Sequence, residues 1–209
     1  MRTSIFIDGF NFYYAAVKGT AHKWLDLRQV FATLLQAHHR ITAINYYTAQ
    51  VSGQRDPQQP LRQQTYWRAL QATTPELQIF KGRFLTHPVT WPLAQPQPRQ
   101  RYATVLKTEE KGSDVNLAVH LLNDAWLDAY DCAVIVSNDS DLAEAMRLVR
   151  QQHPAKKLGL VFARHRGGKP SYELSQHAHF VLRLSERVLA ACQLPNPIPG
   201  TSIHKPASW

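Results

Sequence analysis

Short apolar runs alternate along this chain with longer segments in which apolar residues recur at helical spacing. The runs, which are rich in β-branched and aromatic residues, predict strands at residues 3–7, 43–48, 77–81, 133–137, 158–162 and 180–184. The periodic segments predict helices at residues 25–37, 60–72, 115–127, 142–152 and 185–191. Such alternation is typical of parallel strands joined by crossover helices, so we expect an α/β fold.

Two regions interrupt this alternation. Residues 83–111 contain several prolines between short extended runs, which predicts an inserted loop or an irregular hairpin. Residues 193–209 are rich in Pro, Gly and Ser and lack periodicity, which predicts a flexible tail. Of the 209 residues, 44% are hydrophobic, which is enough for one substantial core. We therefore expect one domain at residues 1–192, followed by the tail.

The charge balance and the apolar segments indicate a class of partner and a compartment. The chain has 24 Lys and Arg against 15 Asp and Glu, a formal net charge of +9. This excess favours a polyanionic partner such as nucleic acid, although a merely basic soluble protein is a common alternative. Asp8 interrupts the first apolar run too early for a signal peptide, and no later run is long enough to span a bilayer. We expect a cytoplasmic protein with no membrane partner and with reduced cysteines.

Polar side chains directly follow two of the predicted strands. The first strand ends in Asp8, followed by Gly9 and Asn11, and the fourth runs into Ser137-Asn138-Asp139-Ser140-Asp141. Ligands of parallel α/β sheets bind just beyond the carboxyl ends of strands, so these side chains are candidates for a site. Helix capping is the alternative for Asp8, Asn11 and Asp141, whereas the sequence offers no such explanation for Asp139.

A third acidic motif opens a predicted helix. Lys111-Gly112-Ser113-Asp114 precedes this helix, and the helix dipole alone would favour Asp114 in its first turn. If the helix crosses the same edge of the sheet, Asp114 joins Asp8, Asp139 and Asp141 in one cluster. Mutual repulsion would then raise the pKa values of these carboxyl groups unless a cation neutralised them. Ligands that are all oxygen atoms suit Mg²⁺ or Mn²⁺.

Phosphodiester hydrolysis is the chemistry that uses such a cluster, because bound metal ions activate a water and stabilise the leaving oxygen. Asn11 and Ser137 could orient the water or a metal ligand, and Lys111 could offset negative charge on the phosphate. Nucleic acid would approach over two basic segments, whose candidate contacts are Arg83, Arg101, Lys107, Arg164, Arg166 and Lys169. Solvated, charged loops are the alternative for both segments.

The three acidic motifs together resemble the three signature blocks of the NYN domain family (LabA/DUF88-like). These blocks are Phe6-Ile7-Asp8-Gly9-Phe10-Asn11, Lys111-Gly112-Ser113-Asp114-Val115 with Leu117-Ala118-Val119, and Val136-Ser137-Asn138-Asp139-Ser140-Asp141. The resemblance spans roughly the first 185 residues, and the blocks are specific in combination although each alone is weak. It implies a PIN-like nuclease fold, in which helices sandwich a mostly parallel sheet in three α/β/α layers. It also implies metal-dependent cleavage of RNA at the carboxyl edge of that sheet.

Carried over position by position, the resemblance makes Asp8, Asp114 and Asp139 metal ligands and places Asp141 at one of the accompanying polar positions. We expect all four aspartates to be catalytic residues. Asn11 and Ser137 match the accompanying polar positions. The chain departs from the family at Ala178-His179, where an Ala-Asp pair is frequent. This departure removes a carboxylate at the periphery and leaves the core of the site unchanged.

Two other functions compete with a metal-dependent endoribonuclease. The first is a non-catalytic RNA-binding or adaptor protein on the same fold, although such a protein would gain nothing from a repulsive acidic cluster. The second is a phosphatase of the haloacid dehalogenase type, which needs another Asp two residues after the first, where this chain has Phe10. RNA is favoured over DNA by the resemblance alone, because metal-assisted hydrolysis does not require a 2′-hydroxyl.

Overall fold

The computed structural model describes residues 1–54, 56–163 and 168–209, and it confirms the α/β fold. The described residues form the strands β1 Arg2–Asp8, β2 Arg40–Ala49, β3 Leu77–Gln97, β4 Gln100–Lys111, β5 Cys132–Val136, β6 Lys157–Ala163 and β7 Phe180–Leu184. They make one sheet in the order β4-β3-β2-β1-β5-β6-β7. Neighbouring strands are parallel, except that β4 pairs with β3 in the antiparallel direction. All the predicted strands overlap observed ones.

The helices among the described residues are α1 Gly9–Phe12, α2 Leu27–Leu34, α3 Gln58–Thr73, α4 Ser113–Trp126, α5 Ala143–Gln152, α6 Tyr172–His177 and α7 Glu186–Ala191. A π-helical turn, Tyr13–Val17, continues α1, and a 3₁₀ turn, Ser140–Leu142, precedes α5. The predicted helices correspond to α2, α3, α4, α5 and α7. Periodicity does not predict α1 and α6, because 4 and 6 residues are too few to show it. None of the described helices combines the length and the apolar character that crossing a membrane requires.

Side chains of β1 alternate between two hydrophobic cores on opposite faces of the sheet. Ile5 and Ile7 belong to a core with α2, α3 and α7, which contribute Phe31, Trp67 and Leu189. Phe6 belongs to a core with α4 and α5, which contribute Leu117, Leu121 and Met146. Helices therefore cover both faces, and the three-layer α/β/α sandwich is confirmed.

The strand order reverses beside β1. The chain adds β2 and then β3 on one side of β1, and it later returns through α4 to place β5 on the other side. Thr3 to Ile7 of β1 pair in parallel with Cys132 to Val136 of β5, so the carboxyl ends of these two strands are neighbours. Such a reversal opens a crevice at the carboxyl edge, where ligands of α/β sheets bind.

Residues 83–111 form a two-stranded antiparallel ribbon, which we call the ribbon. Only the first part of β3 pairs with β2, through Leu77 to Gly82, and the rest of β3 pairs with β4 alone. The sequence predicts an inserted loop or an irregular hairpin here, and the strands form a hairpin that is more regular than the prolines suggest. Pro88 and Pro92 lie opposite Leu106 and Tyr102. Proline is tolerated here because, in a strand with a single partner, every second backbone N–H group makes no hydrogen bond to the neighbouring strand.

Residues 193–209 pack against the domain, whereas the sequence predicts a flexible tail. Ile198 is 1% exposed and belongs to the core beneath α2, α3 and α7. The Trp209 ring lies 6.3 Å from Trp24 and 5.9 Å from Tyr66, measured between centroids. The apolar residues of this segment follow neither helical nor strand spacing, so a periodicity argument does not detect their packing.

We expect Ile198→Ala to lower the free energy of unfolding by about 2–4 kcal/mol, because the substitution leaves a cavity in the core. Urea denaturation at a fixed temperature measures this change. The control is Leu106→Ala on the ribbon, where the wild-type residue is 75% exposed and the expected change is within about 0.5 kcal/mol. Equal small effects for both variants would mean that residues 193–209 do not pack as described.

Candidate active site

Asp8 joins the carboxyl ends of β1 and β5. Asp8 is buried, with 4% of its surface exposed. One oxygen, Oδ1, accepts a hydrogen bond from the backbone N–H of Asn11 at 3.0 Å, and Oδ2 accepts one from the Ser137 hydroxyl at 2.9 Å. Asp8 therefore caps α1, which is the alternative role considered from the sequence. It also contacts Ser137, the residue that follows β5. Capping and a place in a shared site are compatible for this residue.

The segment after β5 is held by further hydrogen bonds. The Ser137 Oγ accepts from the backbone N–H of Asp139 at 3.0 Å, and the Asn11 Oδ1 accepts from the N–H of Asn138 at 3.1 Å. Asp139 Oδ1 accepts from the N–H of Asp141 at 3.0 Å and caps the 3₁₀ turn before α5. The capping role that the sequence assigns to Asp141 thus belongs to Asp139, and Asp141 lies exposed at the rim.

Asp114 reaches the same region from the first turn of α4. Gly112 has a φ of 105°, a left-handed conformation that favours glycine and turns the chain from β4 into α4. Burial, followed by the nearby charges of Asp8, Asp139, Glu110 and Asp141, raises the pKa of Asp114 to about 6. The three acidic motifs of the sequence therefore share one electrostatic environment, which we call the acidic cluster: Asp8, Glu110, Asp114, Asp139 and Asp141.

The protonation of Asp8 reflects opposing effects. Burial raises its pKa, as does the neighbouring Asp139, whereas the hydrogen bonds from Asn11 and Ser137 favour the charged form. The buried Tyr46 lies close enough for the Asp8 charge to raise its phenol pKa, after burial as the main cause. Neighbouring carboxylates that raise the pKa values of Asp8 and Asp114 favour a bound cation.

Two features of this region are not identified from the sequence: the place of Glu110 in it, and the contact of Asn138 with α6. Glu110 accepts hydrogen bonds from the backbone N–H of Ser113 at 3.2 Å and from its hydroxyl at 2.5 Å, which secures the start of α4 beside Asp114. Asn138 Oδ1 accepts from the N–H of Ser171, the residue that caps α6, at 2.6 Å. The spacing of Glu110 and Ser113 at a predicted helix start is the available signal for the first; the second has no signal in sequence.

The donor set of the acidic cluster suits a hard divalent cation, because every side-chain donor is a carboxylate oxygen. Asp8 retains accepting capacity, since each of its oxygens takes one hydrogen bond and has two lone pairs. In the part of the chain that the structure describes, no three His, Cys, Asp or Glu side chains are already gathered around a point that could hold a metal. The cluster therefore offers oxygen donors of the kind that such a cation prefers, and the described side chains do not gather three of them around one point.

Three of the six predicted basic contacts, Arg83, Arg101 and Lys107, lie on the ribbon. Lys107 and Lys111 each contact Glu109, at 2.5 and 3.2 Å, and these lysines hold its pKa below the ordinary value. Lys111 thus points to Glu109, and the structure provides no contact between it and the acidic cluster among the described residues. Arg83, Arg101 and Lys169 are exposed. Arg164 and Arg166 lie outside the described residues.

An aromatic pair connects the ribbon to the acidic cluster. Phe10 of α1 and Phe84 at the base of the ribbon pack edge to face, with ring centroids 5.5 Å apart. Phe10 is two residues from Asp8, so this contact fixes where the ribbon leaves the sheet relative to the carboxylates. The exposed rings of Trp91 and Tyr102 lie farther along the ribbon.

We expect Gly9→Ala to destabilise the fold by about 1–3 kcal/mol through overpacking. A Cβ at this position would lie 2.6 Å from the Tyr47 carbonyl oxygen and 2.9 Å from the Tyr46 ring. The matched control is Gly53→Ala, where the nearest atom, in Pro60, would be 3.4 Å away. Urea denaturation measures the free energy of unfolding of both variants. Equal values for the two would contradict the close approach of α1 to β2.

Comparisons with known proteins identify the family of this chain and a solved structure of similar fold. The chain matches the NYN domain family over residues 2–184. It is 33% identical over 236 aligned residues to 6-hydroxy-3-succinoylpyridine 3-monooxygenase HspA from Pseudomonas putida, an alignment covering 100% of this chain and 75% of HspA. It is also similar in fold to a protein of unknown function from Vibrio parahaemolyticus, with a TM-score of 0.57 and 16% identity over 88% of this chain and 93% of that one. Because the family match spans nearly the whole domain, the chain belongs to the NYN domain family of the PIN-like nuclease superfamily.

Proposed function

We propose that this protein is a metal-dependent endoribonuclease that hydrolyses RNA phosphodiester bonds at the acidic cluster. One observation carries the proposal: carboxylates from three distant parts of the chain share one environment where the strand order reverses, and they help to raise the pKa of Asp114 to about 6. This concentration of negative charge lies in a chain with a net charge of +9. A protein that only bound RNA would be better served by a basic surface at that position.

The proposed roles follow the hydrogen bonds and exposure of each residue. Asp8, Asp114 and Asp139 would hold Mg²⁺ or Mn²⁺, which when bound supplies charge stabilisation at the phosphate and an activated water. Ser137 and the backbone of Asn11 orient the Asp8 carboxylate through their hydrogen bonds. Asp141, at the exposed rim, would accept a proton from the attacking water. Lys111 would act on the phosphate only by leaving Glu109.

The ribbon is the proposed approach for RNA. Arg83, Arg101 and Lys107 would contact phosphates, together with Lys169, Arg164 and Arg166 after β6. Trp91 and Tyr102 are 53% and 61% exposed, which suits stacking on unpaired bases. The Phe10–Phe84 contact supports this proposal, because it anchors the base of the ribbon beside Asp8.

Cleavage of labelled single-stranded RNA, structured RNA and single-stranded DNA, with Mg²⁺ or Mn²⁺ and with EDTA, tests the proposal. We expect cleavage of RNA that stops on chelation. Cleavage of DNA at the same rate would widen the substrate to both nucleic acids. RNA binding in a fluorescence-anisotropy titration, without cleavage under any metal, would favour the non-catalytic adaptor instead.

Oxygenation of a small aromatic compound is a second candidate, favoured by the identity to HspA over the whole chain. Such a reaction would place one atom of dioxygen on the ring and reduce the other to water, with two electrons from a reduced nicotinamide. Incubation with 6-hydroxy-3-succinoylpyridine, dioxygen and reduced nicotinamide tests it, with consumption of the reductant and mass spectrometry of the product as readouts. Reductant consumption that depends on the pyridine compound would support this candidate, and an unchanged pyridine would reject it.

A further inference from the structure

A cavity of 520 Å³ is lined in part by α1 and by the π-helical turn that continues it. Its wall includes Gly9 and Phe10, the two residues that follow Asp8. Much of the remainder comes from the π-helical turn, the end of β2, α3 and the last residues of the C-terminal segment, and the connecting segments add Lys23 and Asp56. The volume is within the range of sites that enclose a small molecule. The cavity is not needed for the hydrolysis proposed above, so it requires its own explanation.

Aromatic rings form much of the cavity wall. Tyr46, Tyr66 and Trp67 are 7%, 9% and 4% exposed, so their positions are fixed by packing. Trp209 closes one side, and its ring packs edge to face against Tyr66. Rigid aromatic walls favour a flat ligand, because rings stack or meet edge to face at little cost in side-chain entropy.

The polar groups of the wall favour an anion. Two cations, Lys23 and Arg62, line the cavity against one carboxylate, Asp56. Arg62 forms an ion pair with Asp56 through one nitrogen, Nη2, and its side chain is 22% exposed. A guanidinium carries five N–H donors in a planar fork, so Arg62 has donors beyond those that Asp56 engages.

The Tyr46 hydroxyl adds a further polar group to this wall. Tyr46 lines the cavity, and a phenol hydroxyl can both donate and accept a hydrogen bond. A ring nitrogen, carbonyl or hydroxyl group of a ligand would pair with this hydroxyl.

We propose that this cavity binds a planar heteroaromatic ring that carries a carboxylate or phosphate group. The ring lies between the aromatic walls, with a polar ring atom at Tyr46 and the anionic group at Arg62. This chemistry is shared by nucleotides and by small pyridine carboxylates. The proposal is independent of RNA hydrolysis at the acidic cluster, and in the oxygenase candidate the cavity is the substrate site.

Isothermal titration calorimetry with two pairs of probes tests the proposal, each pair comprising an anionic ligand and its neutral counterpart. The pairs are nicotinate with nicotinamide, and AMP with adenosine. We expect saturable binding of at least one anionic probe, with its neutral counterpart weaker by about tenfold, the value of one charge-assisted hydrogen bond. The pair that shows this difference identifies the source of the ligand. Absence of binding by all four probes would overturn the proposal.

Two substitutions that break the same ion pair distinguish ligand contact from a structural role. Arg62→Gln should weaken the anionic probe by about tenfold and leave its neutral counterpart unchanged. Asp56→Asn should strengthen the anionic probe, because it removes the competing carboxylate. The matched control is Arg68→Gln, an exposed arginine on the same helix α3, which should change neither affinity. Equal losses in the Arg62 and Asp56 variants would mean that only the ion pair matters and would overturn the assignment.

RNA cleavage by the same Arg62→Gln protein is measured in parallel. If both proteins cut RNA but the wild type binds none of the probes, only the cavity proposal is refuted. Probe binding in a wild-type protein that cuts no RNA would refute only the endoribonuclease.

Discussion

Asp139→Asn should reduce metal-dependent RNA cleavage by at least about a hundredfold, since even residues behind the direct metal ligands are worth 10- to 100-fold. The substitution removes one negative charge and little else. The introduced amide would still offer an oxygen to the backbone N–H of Asp141, which Asp139 now caps at 3.0 Å. The measurement is kcat/KM on a labelled RNA, with the thermal unfolding midpoint recorded for both proteins.

Asp26→Asn is the matched control for this experiment. Asp26 caps α2 by accepting from the N–H of Gln29 at 2.9 Å, so its replacement makes the same chemical change outside the acidic cluster. We expect the activity of this variant to equal that of the wild type. Wild-type activity in Asp139→Asn would remove Asp139 from the mechanism. Equal losses in both variants would attribute the effect to capping and not to metal chemistry.

The sequence is sufficient to predict that acidic residues at strand ends lie at one edge of the sheet, because the rule used is topological. Parallel strands share a carboxyl edge, so Asp8 and Asp139 are expected at the same edge without knowledge of any contact. Their actual neighbourhood depends on the pairing of β1 with β5, and the side chains that meet there, Asp8 and Ser137, are 129 positions apart. Sequence order does not determine which strands become neighbours in the sheet. The direct Asp8–Ser137 hydrogen bond is therefore not predictable.

The place of Glu110 in the cluster depends on a longer-range feature. The ribbon must leave the sheet and return before Glu110 can meet the first turn of α4. Only short extended runs are recognisable in this region of the sequence, because prolines interrupt the strand pattern. The continuous ladder of β3 and β4, and with it the position of Glu110, is set by tertiary pairing.

Pairing on the ribbon also explains why Lys107 and Lys111 do not face the acidic cluster. Lys107, Glu109 and Lys111 occupy alternate positions of β4 and so share one face of the strand. Their ion pairs follow from that spacing. The sequence contains this information, but it can be used only if β4 is known to extend to Lys111. The sequence predicts only short extended runs in this region and does not show that β4 continues to Lys111.

Asp114→Asn should stabilise the metal-free protein at pH 7 and flatten its stability between about pH 4 and pH 6. Burial and neighbouring carboxylates raise the pKa of Asp114 from 3.8 to about 6, so the folded chain holds this proton more tightly than the unfolded chain. The stability linked to the proton is complete below the unfolded value and is lost as the pH rises through the folded value. A fully buried group would contribute about 3 kcal/mol, and partial exposure reduces the expected gain to about 1–2 kcal/mol.

Urea denaturation of the two proteins from pH 4 to pH 8, with EDTA throughout, measures this gain. Asp131→Asn supplies a control of opposite sign, because hydrogen bonds from Arg2 lower the pKa of Asp131 to about 2, and its charged form is the stabilising one. That variant should lose stability at pH 7. A repeat with Mg²⁺ should stabilise the wild type more than Asp114→Asn, since a bound cation relieves the repulsion only where all the carboxylates are present. If Asp114→Asn instead destabilises the metal-free protein with an unchanged pH profile, the acidic residues do not repel one another, and the physical basis for a metal at this edge is lost.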